Sequence, residues 1–473
     1  MLALALTAWL SFAQDTPPEA PPEAPPPPSL GLAASDAIEM GDEMRAKGAG
    51  YAALIAYTEA LAADPKKGGE RLQAMIYLST EFTGDEELVA TALYHYGVPE
   101  SDDADVRGVA LHLLAREQTR RGEYVEALAT LKQVKAGSKG HADAEALRGV
   151  ILNQQGTPRG AIAAFLTARG AGEQLEKGPL FDDAMDLNLA RTYYASKGFA
   201  KAIEFYALVD RESPWWPEAT FERAWAHFML DDMTGTLALL SNLNSPFFED
   251  WYFPEADMLR GQTLFLMCRF PAASAEIESF TERYTPIKEQ LDRALGSTDA
   301  AAAFDEVETF ERGNPTKIPG AILRSFTYEE RFKHAQKALR LVDMEMSRIA
   351  TDVPGETGDL GLVLLDDRKK ALKQLEGARV LAKARAARAE IDQRLQNVKI
   401  TKLDIMGFEQ RAFERAAVTG SLEVAEQNEA LRKESRRKGY RYWPFEGEYW
   451  ADELGNYRFT TKPNCPADLA VGG

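Results

Sequence analysis

The sequence has few of the residues that build reactive sites. Its 473 residues include two cysteines, Cys268 and Cys465, and five histidines. No histidine has a second ligand at the spacing of a metal site, and the phosphate-binding glycine loop, the GxSxG elbow and the HExxH pair are all absent. We interpret the cysteines as two lone thiols, although an oxidising compartment would allow them to pair. We therefore predict a protein that is not an enzyme, with no cofactor and no metal.

Positive charge is also scarce. The chain has 55 Lys and Arg against 73 Asp and Glu, which gives a net charge of −18. Such a surface repels phosphate backbones and anionic lipid, so we expect no nucleic-acid partner. The basic run from Lys369 to Arg388 is interleaved with Ala and Leu, and we interpret it as a solvated helix face rather than a binding stripe.

No apolar run in the sequence is long enough to span a bilayer. The run from Leu2 to Phe12 is short, and Ser11 and Ala13 stand at the spacing of a signal-peptide cleavage site. We predict a signal peptide over residues 1–13, cleaved after Ala13, and a periplasmic location; the alternative is a buried apolar helix. Residues 14–34 contain TPPEAPPEAPPPP, which favours an extended tether or, alternatively, a ligand for a proline-binding domain.

Small residues recur through the body of the chain at intervals of 34 to 41 residues. A bulky residue follows each one after four positions, and a residue that is mostly small or apolar precedes it by twelve. The central residues are Ala53, Ala90, Ala127, Ala161, Ala202, Thr236 and Ala273, with Tyr57, Tyr94, Leu131, Phe165, Tyr206, Leu240 and Ile277 after them and Gly41, Leu78, Ala115, Gly149, Ala190, Ala224 and Gly261 before them. This pattern predicts seven pairs of closely crossing antiparallel helices.

These positions resemble the tetratricopeptide repeat family over residues 35–286. The first repeat is the closest match, with Gly41, Ala53, Tyr57 and a closing Asp64-Pro65, while the second departs most because Glu81 replaces a usually buried aromatic. The resemblance implies an all-α superhelical solenoid of about seven repeats, in which the first helix of each pair lines a concave protein-binding face.

The non-core positions of that concave face are the candidate protein-binding residues. In the fifth to seventh repeats they are Leu187, Arg191, Tyr194, Phe221, Trp225, Phe228, Met258, Gln262 and Phe265. An aromatic groove of this kind suits an extended segment or a partner helix. The alternative is that these side chains pack between adjacent repeats. The aromatic connectors 214–217 and 247–254 are interpreted as a structural lid, with an exposed contact patch as the alternative.

The period changes after Pro286. Phe332, Ala335, Leu339, Val342, Met346 and Ile349 form a heptad seam, a break follows at residues 353–361, and a second helix runs from about Leu364 towards Lys399. A third helical segment is predicted over residues 402–437. We predict that residues 287–437 form a helical hairpin or coiled-coil extension projecting from the solenoid; the alternative is a coiled coil between two chains.

The C-terminal residues 438–473 form an aromatic-rich motif and tail. Alternating aromatic residues flank Leu454-Gly455-Asn456, which predicts a β-hairpin turn. An isolated hairpin is marginally stable, so we expect it to dock on another surface. The residues predicted to make that contact are Trp443, Phe445, Trp450 and Tyr457.

The sequence favours a periplasmic scaffold or adaptor that binds other proteins in a bacterial cell-envelope assembly, such as secretion, outer-membrane or motility machinery. One alternative is a structural oligomer assembled through the helical arm. The other is a cell-wall enzyme or its regulatory subunit. The repeats predict protein binding, but they do not identify the partner.

Overall fold

The computed structural model of the chain describes residues 31–419, 429–443, 447–463 and 465. The predicted signal peptide, most of the proline-rich linker and Phe445 lie outside these ranges. The described part of the chain contains helices and turns and no β-strand. The predicted all-α class is therefore confirmed.

Seven antiparallel helix pairs follow one another along the chain. They are α1 (Ala34–Ala46) with α2 (Gly50–Ala63), α3 (Leu72–Tyr77) with α4 (Glu86–Tyr96), α5 (Ala104–Arg120) with α6 (Tyr124–Leu131), α7 (His141–Gln154) with α8 (Pro158–Gln174), α9 (Pro179–Ala195) with α10 (Phe199–Tyr206), α11 (Trp216–Phe228) with α12 (Met233–Leu243), and α13 (Pro254–Leu266) with α14 (Phe270–Leu295).

The recurring small residues lie where the two helices of each pair cross. All seven central positions, from Ala53 to Ala273, are buried. A Cβ atom added at Gly41 would lie 2.5 Å from the Tyr57 ring, and one added at Gly149 would lie 2.5 Å from the Phe165 ring. Glycine is required there because the bulky residue of the second helix occupies the space of a side chain.

The second pair is irregular at the position where the sequence departs most from the repeat. Helix α3 continues as a π-helical turn over Leu78–Thr83 and ends at Gly84, whose φ is +76°. Glu81 lies on this turn and is exposed. Wide turns of this kind are frequent at functional sites, and this one faces the interior of the solenoid.

The second helix of the seventh repeat does not end at Pro286, because this residue lies inside α14, which continues to Leu295. The chain continues into α15 (Ala300–Glu311), α16 (Glu330–Asp352) and α17 (Glu356–Thr419), followed by α18 (Glu429–Arg437). The predicted break near residue 400 is wrong, because α17 is one helix through that region.

The predicted helical hairpin is confirmed, but it does not project from the solenoid. Helices α16 and α17 form a pair, and this pair packs back against α2, α14 and α15. Phe332, Val342 and Ile349 of the heptad seam are fully buried in the same core as Met44 and Tyr51 of the first repeat. The apolar seam faces the solenoid, so the helix pair joins the first repeat to the last.

Two buried polar contacts fix this closure. Arg368 of α17 donates to both carboxylate oxygens of Asp85, at 2.8 and 2.7 Å, and the Tyr51 hydroxyl donates to Asp85 at 2.5 Å. Burial, and then the charge of Asp85, raise the pKa of Tyr51, which keeps it a neutral donor. Glu345 of α16 accepts the backbone N–H groups of Tyr51 and Ala52 at 2.9 to 3.0 Å and caps α2, whose own N-cap residue has no capping side chain.

The C-terminal segment does not form the predicted hairpin. Its described residues contain a single 3₁₀ turn, Ala451–Glu453, and otherwise irregular chain. The interpretation of two lone thiols is also wrong, because Cys268 and Cys465 form a disulfide that closes a loop of 197 residues. The sequence carried no sign of their proximity, since the contact depends on how the segment lies across α12 and α13.

Candidate functional site

The concave side of the superhelix contains a cavity of about 1300 Å³ that is partly open to solvent. Its walls come from the π-helical turn, the start of α4, helices α5 and α7, the end of α8, and the facing parts of α16 and α17. The closing helix pair therefore supplies one wall of a cavity in the predicted concave groove. A cavity of this size admits a folded-back or extended peptide segment.

The cavity wall is strongly acidic. Twelve carboxylates line it, against five Lys and Arg: Glu81, Asp85, Glu86, Glu87, Asp103, Asp105, Glu117, Asp143, Glu176, Glu329, Glu330 and Glu376 against Arg116, Arg120, Lys139, Lys177 and Arg331. Four of these five cations are held in ion pairs with wall carboxylates. Arg368 and Arg379, which do not line the cavity, pair with Asp85, Glu329 and Glu376. Five wall carboxylates are left without an ion pair among the described residues, namely Glu81, Asp103, Asp105, Glu176 and Glu330, and a concave acidic wall focuses their field.

Three of the exposed wall carboxylates have neither an ion-pair partner nor a side-chain hydrogen bond among the described residues, whereas Asp103 and Asp105 accept backbone N–H groups. The three are Glu81 on the π-helical turn, Glu176 after α8 and Glu330 at the start of α16. His112 adds no positive charge, because burial and the nearby Arg116 lower its pKa to about 4. Burial also raises the pKa of Glu87, which is paired with Arg331 at 2.8 Å.

The predicted groove residues of the fifth and sixth repeats contact one another or neighbouring repeats. Arg191 pairs with Glu218 and Glu222 of α11, at 2.7 and 2.6 Å. The Trp225 ring meets the Phe228 ring edge to face at 5.5 Å, and Phe228 is buried. These contacts match the alternative interpretation, in which such side chains pack between repeats.

Tyr194, Gln262 and Phe265, which were also predicted to line the groove, are likewise buried or packed against other side chains. Tyr194 packs edge to face against Phe199 at 5.2 Å, and burial raises its pKa to about 12. Gln262 is buried. Phe265 contacts Phe408 of α17 at 5.2 Å, so the long helix covers this part of the groove.

The aromatic connectors pack on each other and on the closing region. Trp216 contacts Phe248 at 5.9 Å, and Trp251 stacks between Phe253 and Tyr328 at 5.9 and 5.5 Å. Tyr328 precedes α16, so this aromatic cluster ties the sixth and seventh repeats to the helix pair. The geometry agrees with the structural lid, although Phe247 remains half exposed.

The basic run of α17 is engaged in ion pairs and hydrogen bonds. Lys373 pairs with Asp305 at 2.7 Å, Arg388 pairs with Asp292 at 2.7 Å, and Lys383 donates to Ser325 at 2.5 Å. These cations attach the long helix to the solenoid, which leaves little of the run for an outside ligand.

Three of the predicted C-terminal contact residues lie together. Trp443 and Trp450 meet at 5.6 Å, and Tyr457 accepts a hydrogen bond from the backbone N–H of Trp450 at 2.9 Å. All three line a second cavity, of about 770 Å³. Trp443 is 62% exposed and Trp450 41%, whereas Tyr457 is half-buried.

Within the described ranges, no group of three or more His, Cys, Asp or Glu side chains is placed to hold a metal ion. In the same ranges, no helix combines the length and apolar character needed to cross a membrane. Sequence reasoning missed the acidic cavity, because its wall combines residues from positions 73 to 376. The one sequence feature that pointed to this cavity was Glu81, which replaces a usually buried aromatic residue of the repeat pattern.

Comparison with known proteins gives structural likeness only. No protein-family model and no curated protein matches this sequence. A tetratricopeptide repeat protein from Parabacteroides merdae is 17% identical over 53% of this chain and 93% of its own, with a TM-score of 0.33. Pseudomonas aeruginosa PilF is 16% identical over 44% of this chain and 90% of its own (TM-score 0.29), and yeast Tom70 is 12% identical over 82% and 98% (TM-score 0.19).

Such low identities and TM-scores carry no argument about function. The fold is defined by features within the chain itself: seven helix pairs in sequence, a period near 35 residues, and small residues buried at every crossing. Residues 34–295 therefore form a solenoid of the tetratricopeptide repeat type, the kind of fold that generally mediates protein–protein interactions.

Proposed function

We propose that this protein is a periplasmic scaffold or adaptor that holds a positively charged segment of a partner protein in its acidic interior. The partner belongs to a cell-envelope assembly such as secretion, outer-membrane or motility machinery. The observation that carries the proposal is the cavity of about 1300 Å³ lined by twelve carboxylates. A Lys- or Arg-rich segment is the occupant whose charge complements that wall.

Two features support export to an oxidising compartment. The N-terminal apolar run followed by small residues has the form of a signal peptide. The Cys268–Cys465 disulfide suits the periplasm, because cytosolic thiols are kept reduced. Fusion of residues 1–30 to an alkaline phosphatase reporter tests the first feature. Activity in the periplasm is expected, and a fusion that stays inactive in the cytosol would contradict export.

Binding is tested with three of the unpaired carboxylates. The triple variant Glu81→Gln, Glu176→Gln, Glu330→Gln removes three negative charges from the cavity and leaves the structural ion pairs intact. The matched control, Glu43→Gln, Glu282→Gln, Glu289→Gln, makes the same charge change at exposed positions outside the cavity. Crosslinking from envelope fractions, with mass spectrometry of the joined peptides, locates the contact.

We expect partner peptides rich in Lys and Arg joined to α5, α7 or α16. The cavity variant is expected to lose about tenfold in affinity, because each exposed pair contributes roughly 0.5 kcal/mol. The control variant keeps its affinity. Equal loss in both variants, or crosslinks confined to the outer surface, would refute the cavity as the binding site.

The structural oligomer is the second candidate. Ile400, Leu403 and Met406 are exposed on α17 at a spacing of three residues, which is an apolar stripe suited to helix pairing. Light scattering separates the two functions. A stable oligomer that Leu403→Glu dissociates, together with recovery of no partner except the chain itself, would replace the adaptor by self-assembly.

A further inference from the structure

The second cavity is lined mainly by cations, although the chain as a whole is acidic. It lies between α18, the irregular segment 438–460 and helices α12 and α13, and its volume is about 770 Å³. Two carboxylates line it, Glu448 and Glu453, in a chain of net charge −18. Six cationic residues line it as well: Arg260, Arg432, Arg436, Lys438, Arg441 and Arg458.

Two of these cations are available to an outside carboxylate. Lys438 pairs with Glu434 at 2.7 Å, so its charge is already neutralised. Arg436 and Arg441 are exposed and have no ion-pair partner among the described residues. A guanidinium binds a carboxylate through two parallel N–H donors. The two arginines therefore favour an occupant that carries carboxylates.

Aromatic rings form the rest of the wall. Trp443 and Trp450 stand at 79° to each other, and both are exposed. Four tyrosines accompany them: Tyr440, Tyr442, Tyr449 and Tyr457. Aromatic-lined grooves bind proline-rich segments in the polyproline II conformation, because the stiff segment loses little entropy on binding. The wall therefore suits a segment that contains both prolines and carboxylates.

The solenoid holds this wall in place. The backbone N–H of Gly455 donates to Asn242 at 2.6 Å, and Arg211 donates to the carbonyl of Asp452 at 3.1 Å. The disulfide of Cys465 fastens the end of the segment to the seventh repeat. A wall that is ordered in advance lowers the entropic cost of binding.

Residues 16–28 have the complementary chemistry. Their sequence, TPPEAPPEAPPPP, contains eight prolines, the two carboxylates of Glu19 and Glu23, and no basic residue. In the polyproline II conformation the two glutamates are about 12 Å apart, at roughly 3.1 Å per residue. The segment thus offers stiff prolines to the rings and carboxylates to the arginines.

This segment cannot enter the cavity of its own chain. Gly31, the first described residue, donates its backbone N–H to Glu59 of the first repeat at 3.0 Å. Helix α17 lies against the first repeat at Gly361 and against α14, which borders the cavity, at Lys402. This length of helix spans about 60 Å at 1.5 Å per residue. Residues 23–31 reach only about 25 Å.

A second copy of the chain is not subject to this limit. Its first repeat needs only to lie within about 25 Å of the cavity. We propose that the cavity binds residues 16–28 of a second copy. The prolines lie against the two tryptophans, and the glutamates pair with Arg436 and Arg441. When two copies exchange these segments, the first contact raises the effective concentration for the second.

This contact is separate from the binding of a partner in the acidic cavity. The two cavities share no lining residue. Loss of one contact is therefore expected to leave the other intact, and the experiment below reports on the second cavity alone.

Photocrosslinking between two distinguishable copies tests the proposal. An unlabelled full chain with p-benzoylphenylalanine at Ala20 is mixed with a full chain labelled with heavy isotopes and lacking the probe. After illumination, mass spectrometry of the joined peptides identifies the copy from which each peptide comes. We expect mixed adducts that join the unlabelled probe peptide to labelled peptides containing residues 440–458.

Charge reversal on opposite copies tests the predicted ion pairs. Arg436→Glu with Arg441→Glu in the labelled copy is expected to lower the yield of mixed adducts at least fivefold. Adding Glu19→Arg with Glu23→Arg to the probe copy is expected to restore the yield, because the charges of both partners are then reversed.

A matched control uses the same helix. Lys433 and Arg437 are exposed on α18 outside the cavity, so Lys433→Glu with Arg437→Glu in the labelled copy is expected to leave the yield unchanged. Circular dichroism melting checks that each variant is folded. The absence of mixed adducts, mixed adducts to other regions, or a yield that Arg436→Glu with Arg441→Glu does not lower would each overturn the proposal.

Discussion

The two ends of the solenoid share one hydrophobic core, whereas the middle repeats have several small ones. Buried residues from Met40 to Leu113 and from Met258 to Ile405 form one continuous cluster, joined through α16 and α17. Between them, the clustered buried residues from Ala115 to Leu259 fall into four separate clusters, apart from Leu237 and Met258, which belong to the shared one. In a repeat array each unit normally contacts only its neighbours, and the terminal units need caps. Here the two ends cap each other.

This difference predicts two levels of local stability. A residue in the shared core touches elements from both ends of the chain, so its loss weakens many contacts at once. A residue in a middle repeat affects its own pair and the two neighbouring pairs. The variants below test that contrast, from the largest expected effect to the smallest.

Arg368→Met should have the largest effect. It removes one partner of a buried ion pair and leaves Asp85 charged and uncompensated, which costs about 3–5 kcal/mol. Urea denaturation measures the free energy of unfolding. Arg388→Met is the control, because Arg388 lies on the same helix as Arg368 but is 40% exposed and pairs with Asp292 of α14. The expected loss is below about 1 kcal/mol. Similar losses in both variants would mean that the buried Arg368–Asp85 pair stabilises the fold no more than an exposed ion pair does.

Asp186→Asn tests a middle repeat through the pH dependence of its free energy of unfolding. Burial raises the pKa of Asp186 to about 6, and Arg169, 2.8 Å away, offsets only part of that effect. The folded-state pKa is above the ordinary 3.8, so the protonated form of Asp186 stabilises the folded protein. This stabilisation is complete below pH 3.8 and is lost as pH rises through 6.

The expected change between pH 4 and pH 7 is about 3 kcal/mol at most. Urea denaturation at the two pH values gives the free energy of unfolding of the wild type and of Asp186→Asn, and the difference between the two proteins is compared. A difference that does not vary with pH would contradict the assigned pKa. Hydrogen exchange should locate the change in α8 to α10 and leave α1 and α2 unaffected.

Three glycines at equivalent positions give a graded test. Gly149→Ala places a Cβ atom 2.5 Å from Phe165 and is expected to cost about 1–3 kcal/mol through overpacking. Gly261→Ala meets nothing closer than 3.6 Å, so it is expected to stabilise α13 by about 0.5–1 kcal/mol through helix propensity. Gly41→Ala, in the shared core, should be at least as costly as Gly149→Ala. Thermal melting ranks the three variants, and an equal effect at all three would exclude close crossing as the cause.

Glu345→Gln has the smallest expected effect, a loss of about 1 kcal/mol, because both carboxylate oxygens accept backbone N–H groups of α2 and the amide keeps only one of these acceptors. Burial raises the pKa of Glu345 even though the backbone N–H groups of Tyr51, Ala52 and Gly50 lower it. Ionisation of Glu345 therefore costs stability as pH rises through that pKa, and the variant should lose this dependence. Exchange of the α2 amides should accelerate while that of the α8 amides does not. Equal acceleration in both helices would contradict a local cap.

Much of the solenoid was predictable from residue spacing. Ala53, Ala161 and Ala273 were assigned to helix crossings and are buried there, because close crossing requires a small residue wherever the repeat occurs. The site was predicted less well. The aromatic residues Phe228 and Phe265 have the same spacing whether they line a groove or pack on a neighbour, and the structure places them against Trp225 and Phe408.

The sequence by itself determined the helical class, the number of repeats and the small residues at their crossings, since these depend on local periodicity. Only the tertiary structure decided that the heptad helix turns back onto the first repeat, that Cys268 reaches Cys465, and that carboxylates from positions 81 to 376 surround one cavity. These contacts join residues hundreds of positions apart. They depend on the accumulated curvature of seven helix pairs, which no local pattern of residues specifies.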